Sequence, residues 1–372
     1  MQPTISDRIL LLLAIKEKGK HIDLNHILEK VSRDENRKIE SSELLNELNL
    51  LANKGLINIH KDGYSITNEG FKEILNKLPI IGNKLNLSYR MVLLAKQYYP
   101  KIANYILPFL INRPVSVVKI FSDEEDPIGK IKPLFVRYAK YKPKPQFISI
   151  NNIQDLMKYV DDHAIDYIPY VHSFNTNIPD WLVIDLDAGE ELKTKEEGFL
   201  AVKFVAKEIY DFLIENDVTS SIKFSGSRGM QIWASLDNSK IPGLDKFATY
   251  RILIQKIQLK VEERIKNSKP PKELELFIEK GLTTSNVAKK EERKEKVLID
   301  WSSMKPYGDV RAPFSIHYKT GLVSCPINPN KIMDFQVNEA EPSIVIKNVD
   351  NLAKYFELEK SNPSKLLITC NI

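Results

Sequence analysis

The stretch WLVIDLD, residues 181–187, decides how this chain is read. Leu182, Val183 and Ile184 form a short apolar run that ends in Asp185 and Asp187. Side chains alternate across a strand, so residues i and i+2 point to the same face. Two carboxylates on one face repel each other unless a cation lies between them. A D-x-D pair alone is common, and most such pairs are solvated strand ends. A third acid, Asp300, ends a second apolar run, Val297-Leu298-Ile299. Three carboxylates at strand ends suit a pair of divalent ions about 3.5–4 Å apart, the arrangement that in-line phosphoryl transfer uses.

Between these acids lies KFSGSRGMQIW, residues 223–233. Ser225-Gly226-Ser227-Arg228-Gly229 falls between two strands, where a turn is required. Gly226 and Gly229 let backbone amides approach a ligand, Ser225 and Ser227 add hydroxyl donors, and Arg228 adds a charged fork matched to phosphate oxygens. Most Gly/Ser turns are only turns. Downstream, RAPFSIHYKTGLVSCPI (311–327) sets Arg311, His317 and Lys319 close together. A lone histidine is more often a satisfied core or surface residue than a ligand contact. His317 stands between basic residues and beside Thr320-Gly321, which favours a triphosphate role. Acids, phosphate loop, acid and cations, in that order, outline a nucleotidyl-transfer site.

The bulk numbers agree with this chemistry without demanding it. The chain has 372 residues, enough for two domains, with 43% hydrophobic and 28% charged side chains and a net charge of +5. A mildly basic protein tolerates an anionic partner. Cys325 and Cys370 cannot build a disulfide framework, and no C-x-x-C pair indicates structural zinc. No long apolar segment or signal-peptide pattern is present, so a cytoplasmic protein with no membrane partner is expected.

Residues 1–82 read as a separate unit. Ile9, Leu10, Leu13 and Ala14 stripe a first helix over about Ser6 to Lys18, and a second runs from Leu24 to Val31. A third, capped by Ser41 or Ser42, carries Leu44, Leu45, Leu48 and Leu51 on its buried face. Strands at Leu56–His60 and Tyr64–Ile66 flank Lys61-Asp62-Gly63, and a last helix opens at Thr67. Three helices, a hairpin and a helix resemble a winged helix. About a dozen basic and a dozen acidic side chains leave it no electrostatic footprint for DNA, and Glu43 and Glu47 lie on the third helix. Protein docking is the other role such a module serves. Gly82 and Asn83 read as a joint, residues 83–110 as a helical connector broken at Pro100 and Pro108, and residues 111–372 as the catalytic domain. There, strands at 115–120, 147–150, 181–186, 222–224, 232–236 and 297–299 alternate with helices near 195–215 and 246–265.

The order D-x-D, SGSRG, an apolar run ending in Asp300, and R-x-P-F-S-x-H-x-K-T-G resembles the archaeo-eukaryotic primase superfamily. The last segment is similar to the catalytic small subunit of replicative primases. NRPVSVVKI (112–120), PDWLVIDLDAGEE (179–191) and TTSNVAKKEERKEKVLIDW (283–301) resemble the polymerase domain of bacterial ligase D. The likeness spans about residues 110–335. It implies an α/β (α+β) primase-polymerase catalytic domain behind the N-terminal winged-helix domain. It also implies template-directed addition of nucleoside triphosphates to a nucleic-acid 3′ end, in DNA repair or primer synthesis. Asp185, Asp187 and Asp300 would hold two Mg²⁺ or Mn²⁺ ions. Ser225, Ser227, Arg228, Gln231, Arg311, His317 and Lys319 would line the nucleotide. The implied partners are a DNA template and primer, nucleoside triphosphates, and a DNA ligase, end-binding protein or primase large subunit. Two positions depart from the pattern. Gln231 and Ile168 stand where the family carries histidines, with His172 near the latter but shifted, and the zinc-binding cysteines of replicative primases are missing. Glutamine donates a hydrogen bond but carries no charge, and losing such a contact costs about a hundredfold in rate. The alternative is therefore a catalytically weak or inactive primase-like subunit that binds nucleic acid or assembles with partners.

Overall fold

The computed structural model describes residues 2–16, 20–81, 87–121, 132–285 and 287–372. The expected joint at Gly82 and Asn83 lies outside them. Packing divides the chain into two units: Met1–Lys101 with Val118–Val136 and Gln154–Ile165, and Ile102–Val117 with Arg137–Ile153 and Asp166–Ile372.

The chain opens with α1 (Ile5–Ile15), α2 (Leu24–Glu35) and α3 (Ser41–Asn53), then the hairpin β1 (Ile57–His60) and β2 (Gly63–Ile66), then α4 (Asn68–Ile81). Several starts have a local cause, but the cap expected at Ser41 or Ser42 is not formed: both lie inside α3, which follows Glu40 with no side-chain cap bond. Thr4 and Asp7 form a capping box on α1, and Asp23 caps α2 through the His26 amide at 2.9 Å. Thr67 accepts from the Gly70 amide at 3.0 Å and so starts α4 one residue later than expected. Ile9, Leu10, Leu13, Ile27, Leu44, Leu48, Leu51, Ile57 and Ile74 form the core of this segment. Leu45, expected on the buried face of α3, is 37% exposed, because the buried stripe 44–48–51 turns away from it.

The expected break at Pro100 does not occur: α5 (Leu87–Ile106) runs through it. A proline removes one helix hydrogen bond. Tyr98, Tyr99, Ile102, Ala103 and Ile106 are all buried around it, and that packing holds the helix. Pro108 lies in a short 3-10 turn after the helix, Leu107–Phe109.

The elements that follow are β3 (Val115–Phe121), β4 (Lys132–Val136), β5 (Tyr138–Lys140), β6 (Gln146–Phe147), α6 (Ile153–Asp161) and β7 (Ala164–Pro169). Then come β8 (Leu182–Ala188), α7 (Glu197–Glu215), β9 (Ser220–Phe224), β10 (Met230–Leu236) and α8 (Lys246–Asn267). The chain closes with α9 (Glu275–Glu279), β11 (Thr283–Ser285), α10 (Lys290–Arg293), β12 (Val297–Asp300), α11 (Pro342–Lys354), β13 (Lys360–Ser361) and α12 (Ser364–Thr369). The strand expected at 147–150 is shorter, ending at Phe147. Among the described residues, no helix is long and apolar enough to cross a membrane.

The main sheet has the order β11-β12-β8-β10-β13, with β9 also paired to β10; smaller sheets are β4-β3-β7 and β5-β6. In the main sheet β8 pairs antiparallel with both β12 and β10. One face is largely apolar: Ile184, Leu186, Ile222, Phe224, Ile232, Val297 and Ile299 are buried. α7 packs there, with Phe199 against Phe224 at 5.8 Å between ring centres. Each such side chain contributes about 1.5–3 kcal/mol on burial. That burial forces the opposite alternation, Asp185, Asp187, Lys223, Gln231 and Asp300, onto the other face.

Candidate functional site

The second face carries a row of polar side chains in register across four strands. Asp300 on β12 is the partner of Asp185 on β8, Asp185 that of Gln231 on β10, and Gln231 that of Lys223 on β9. Asp187 lies one alternation further along β8, opposite Leu298. Beyond Gln231 on the same face, Trp233 packs on Trp181 at 4.8 Å, Phe356 at 5.5 Å and Phe109 at 6.3 Å. The row therefore rests against an aromatic floor.

Crowding of the acids shows in their protonation. Burial, then the charges of Asp187 and Asp300, push the Asp185 carboxyl up to about 7, against the pull of Gln231 and Lys223. Desolvation by the surrounding protein also raises Asp187, although its side chain reaches solvent, and Arg228 opposes the shift. Asp300 accepts from the Ser302 amide at 2.6 Å. An all-carboxylate donor set suits hard divalent cations such as Mg²⁺ or Mn²⁺. Among the described residues, no three His, Cys, Asp or Glu side chains form a ready-made ion cage. The donor chemistry of the row fits the implied ions; a closed coordination shell is not preformed.

The loop joining β9 to β10 is drawn tight by Ser225, whose amide donates to the Gly229 carbonyl at 2.9 Å while its Oγ accepts from the Gly229 amide at 3.1 Å. Gly226 has φ +89°, which favours glycine. Gly229 is required for a different reason: a Cβ there would lie 2.3 Å from the Leu186 carbonyl oxygen and 2.7 Å from Asp187 Oδ1. The loop thus presses directly against the acid strand. Ser227 is half-buried and Arg228 is exposed at the loop tip.

The segment 311–327 packs over this loop. Arg311 grips Asp166, which is 0% exposed, through Nε at 2.9 and 3.0 Å and a second guanidinium nitrogen at 2.8 Å. Its remaining nitrogen donates to the Ser225 carbonyl at 3.0 Å. Ser315 donates to the same carboxylate at 3.1 Å. Arg311, expected to line the nucleotide, therefore braces the loop from behind. Thr320 Oγ1 donates to the Gly226 carbonyl at 2.5 Å, tying the H-x-K-T-G turn to it. His317 Nδ1 accepts from the Lys319 amide at 3.2 Å, so a neutral ring carries its proton on Nε2. Burial and the nearby Arg311 charge lower its pKa to about 4, and near neutral pH it is an uncharged donor. Lys319 is exposed.

Gln231 is 4% exposed, and its Oε1 accepts from Lys223 Nζ at 2.6 Å. Expected to contact nucleotide, it is instead anchored within the sheet. Asp166, Ser315 and Lys223 also belong to this site, although their residue types and spacing alone do not announce it. For Lys223 the available signal was period-2 spacing with Ser225, which places it on the carboxylate face only once the pairing of β9 is known. Ile168 lies on β7, and His172 packs against Tyr170 and Tyr307 rather than joining the acids.

A second surface alternates aromatic and basic groups. Tyr138 is the strand partner of Phe147 with ring centres 5.2 Å apart, Tyr141 is 5.8 Å from Tyr138, and Tyr307 stacks on Phe147 at 5.9 Å. Tyr141 and Tyr307 are 68% and 58% exposed, and Arg137, Lys140, Lys142 and Lys144 are exposed beside them. The 137–147 run alone carries this alternation; only the fold adds Tyr307.

Residues 94–356 match the family model described as LigD, primase-polymerase domain. The bifunctional non-homologous end joining protein LigD of Bacillus subtilis is 27% identical over 145 residues, 38% of this chain and 23% of that protein's length. The polymerase domain of Mycobacterium tuberculosis ligase D, solved in complex with DNA, superposes with a TM-score of 0.53 at 18% identity. That alignment covers 70% of this chain and 91% of that domain, and it is a likeness of fold.

Proposed function

Because the chain belongs to the LigD primase-polymerase domain family, we propose that it is a nucleotidyltransferase of DNA repair. It adds nucleoside triphosphates to a nucleic-acid 3′ end under the direction of a template. The observation that carries this reading is the register of Asp300 with Asp185, with Asp187 on the same face and the SGSRG loop pressed against it. Asp185, Asp187 and Asp300 would hold Mg²⁺ or Mn²⁺, which when bound activates the primer hydroxyl and neutralises the triphosphate. Arg228 and Lys319, both exposed, offer charge to phosphate oxygens, and His317 offers a neutral Nε2–H. Ser225 shapes the loop and Arg311 holds it in place, so these two act through geometry. Charge developing at the α-phosphate would be met by Arg228 and Lys319, with no covalent intermediate.

The aromatic and basic surface at Tyr138, Tyr141 and Tyr307 suits nucleic acid, since bases stack on exposed rings while lysines meet phosphates. Residues 1–82, read as a winged helix, suit protein docking better than a DNA groove, because Glu43 and Glu47 lie on α3. A DNA ligase or end-binding protein is the partner such a module would serve. The second reading, a subunit that binds nucleic acid without turnover, is favoured by Gln231, which is buried and bonded to Lys223 where a phosphate-contacting group is expected.

Mn²⁺-dependent primer extension by the wild type and by Asp185→Ala tests the proposal. Incorporation by the wild type alone supports it, and incorporation by neither protein favours the non-catalytic subunit. Synthesis seen only without primers moves the role from end repair to priming.

A further inference from the structure

Lys223 has no part in the reaction as described above, yet it ends the row that begins at Asp300. It is 0% exposed. Its Nζ donates to Gln231 Oε1 and to Ser324 Oγ, each at 2.6 Å, and lies 5.3 Å from the centre of the Trp233 ring. Trp233 Nε1 donates to the same Gln231 oxygen at 3.4 Å. Two donors on one amide oxygen settle which end of the amide is which. With the oxygen held toward Lys223 and Trp233, the NH2 is left for the other register partner of Gln231, which is Asp185. Lysine donates whether charged or neutral, so the orientation does not depend on its protonation.

We infer that Lys223 is a positioning residue: acting through Gln231, it presents an amide NH2 to Asp185 and fixes the carboxylate in the pose that receives a divalent cation. This rests on the proposed function, in which Asp185 is an ion ligand. Gln231 and Lys223 both favour the ionised form of Asp185, which agrees with an amide donor directed at it. The role also accounts for Gln231 itself. It orients an acid from beneath, while contact with phosphate falls to Arg228, His317 and Lys319.

The test is Mn²⁺ binding to the full chain at pH 8, read from the free-ion electron paramagnetic resonance signal. Partners that orient ion ligands are worth about 10–100-fold in affinity. Lys223→Met and Gln231→Leu should each weaken binding about tenfold, and the double variant should be no weaker than either single one. Ser324→Ala removes the other Lys223 bond and should stay within about twofold of wild type. In primer extension, Lys223→Met should lower kcat while leaving the triphosphate KM nearly unchanged. A folded Lys223→Met that binds Mn²⁺ like wild type overturns the inference alone, as do losses that multiply in the double variant. If neither single variant folds while Ser324→Ala does, the row is a folding element and the positioning role is rejected. Wild type that shows no binding sensitive to Asp185→Ala overturns the proposed function, and this inference with it.

Discussion

Replacing Asp185 with asparagine should stabilise the ion-free protein at alkaline pH while removing its activity. The Asp185 carboxyl is raised from 3.8 to about 7 by burial and by its two acidic neighbours. At 1.36 kcal/mol for each tenfold in proton affinity, that displacement is worth at most about 4 kcal/mol. Asp185 is only half-buried, and solvent screening reduces this to roughly 2 kcal/mol. The sign follows from the order of the two values. The folded acid holds its proton more tightly than the unfolded one, so stability falls as pH rises from about 4 to about 7, and the full cost is present above 7. Asparagine is neutral throughout. Thermal unfolding should therefore give Asp185→Asn a Tm a few degrees above wild type at pH 8, with the gap closing by pH 4. Excess Mg²⁺ or Mn²⁺ at pH 8 should raise the wild-type Tm and leave the variant nearly unmoved. A variant no more stable than wild type at pH 8, or a gap independent of pH, would refute the idea that these acids crowd one another.

Gly229→Ala places a Cβ 2.3 Å from the Leu186 carbonyl oxygen, a backbone atom that cannot step aside. The variant should lose about 1–3 kcal/mol in denaturant unfolding and at least tenfold in kcat/KM for triphosphate. Arg311→Ala leaves the fully buried Asp166 carboxylate without its ion pair and frees the Ser225 carbonyl, so unfolding should cost roughly 3–5 kcal/mol less. An unchanged midpoint would mean that the latch does not hold the loop. Tyr307→Ala removes an exposed ring from the aromatic surface and should weaken single-strand binding by about 1–3 kcal/mol, measured by fluorescence anisotropy, with little change in triphosphate KM. Equal nucleic-acid affinity would remove that surface from the interface.

Period-2 alternation put Asp185 and Asp187 on one face before any fold was known, because that spacing is a property of the extended backbone. The helix start at Thr67 and the hairpin turn before Gly63 were legible for the same local reason. What the sequence could not supply was pairing. The partnership of Asp300 with Asp185, and of Gln231 with both Asp185 and Lys223, depends on strand register, which is chosen by burying the apolar side of the sheet under α7. Local sequence also did not show that α5 continues through Pro100, that Arg311 turns inward onto Asp166, or that burial leaves His317 uncharged. Residue types announced which chemistry was available. The folded sheet alone decided which groups face a ligand and which hold the others still, because a side chain's role follows from its nearest charges, and those come from distant parts of the chain.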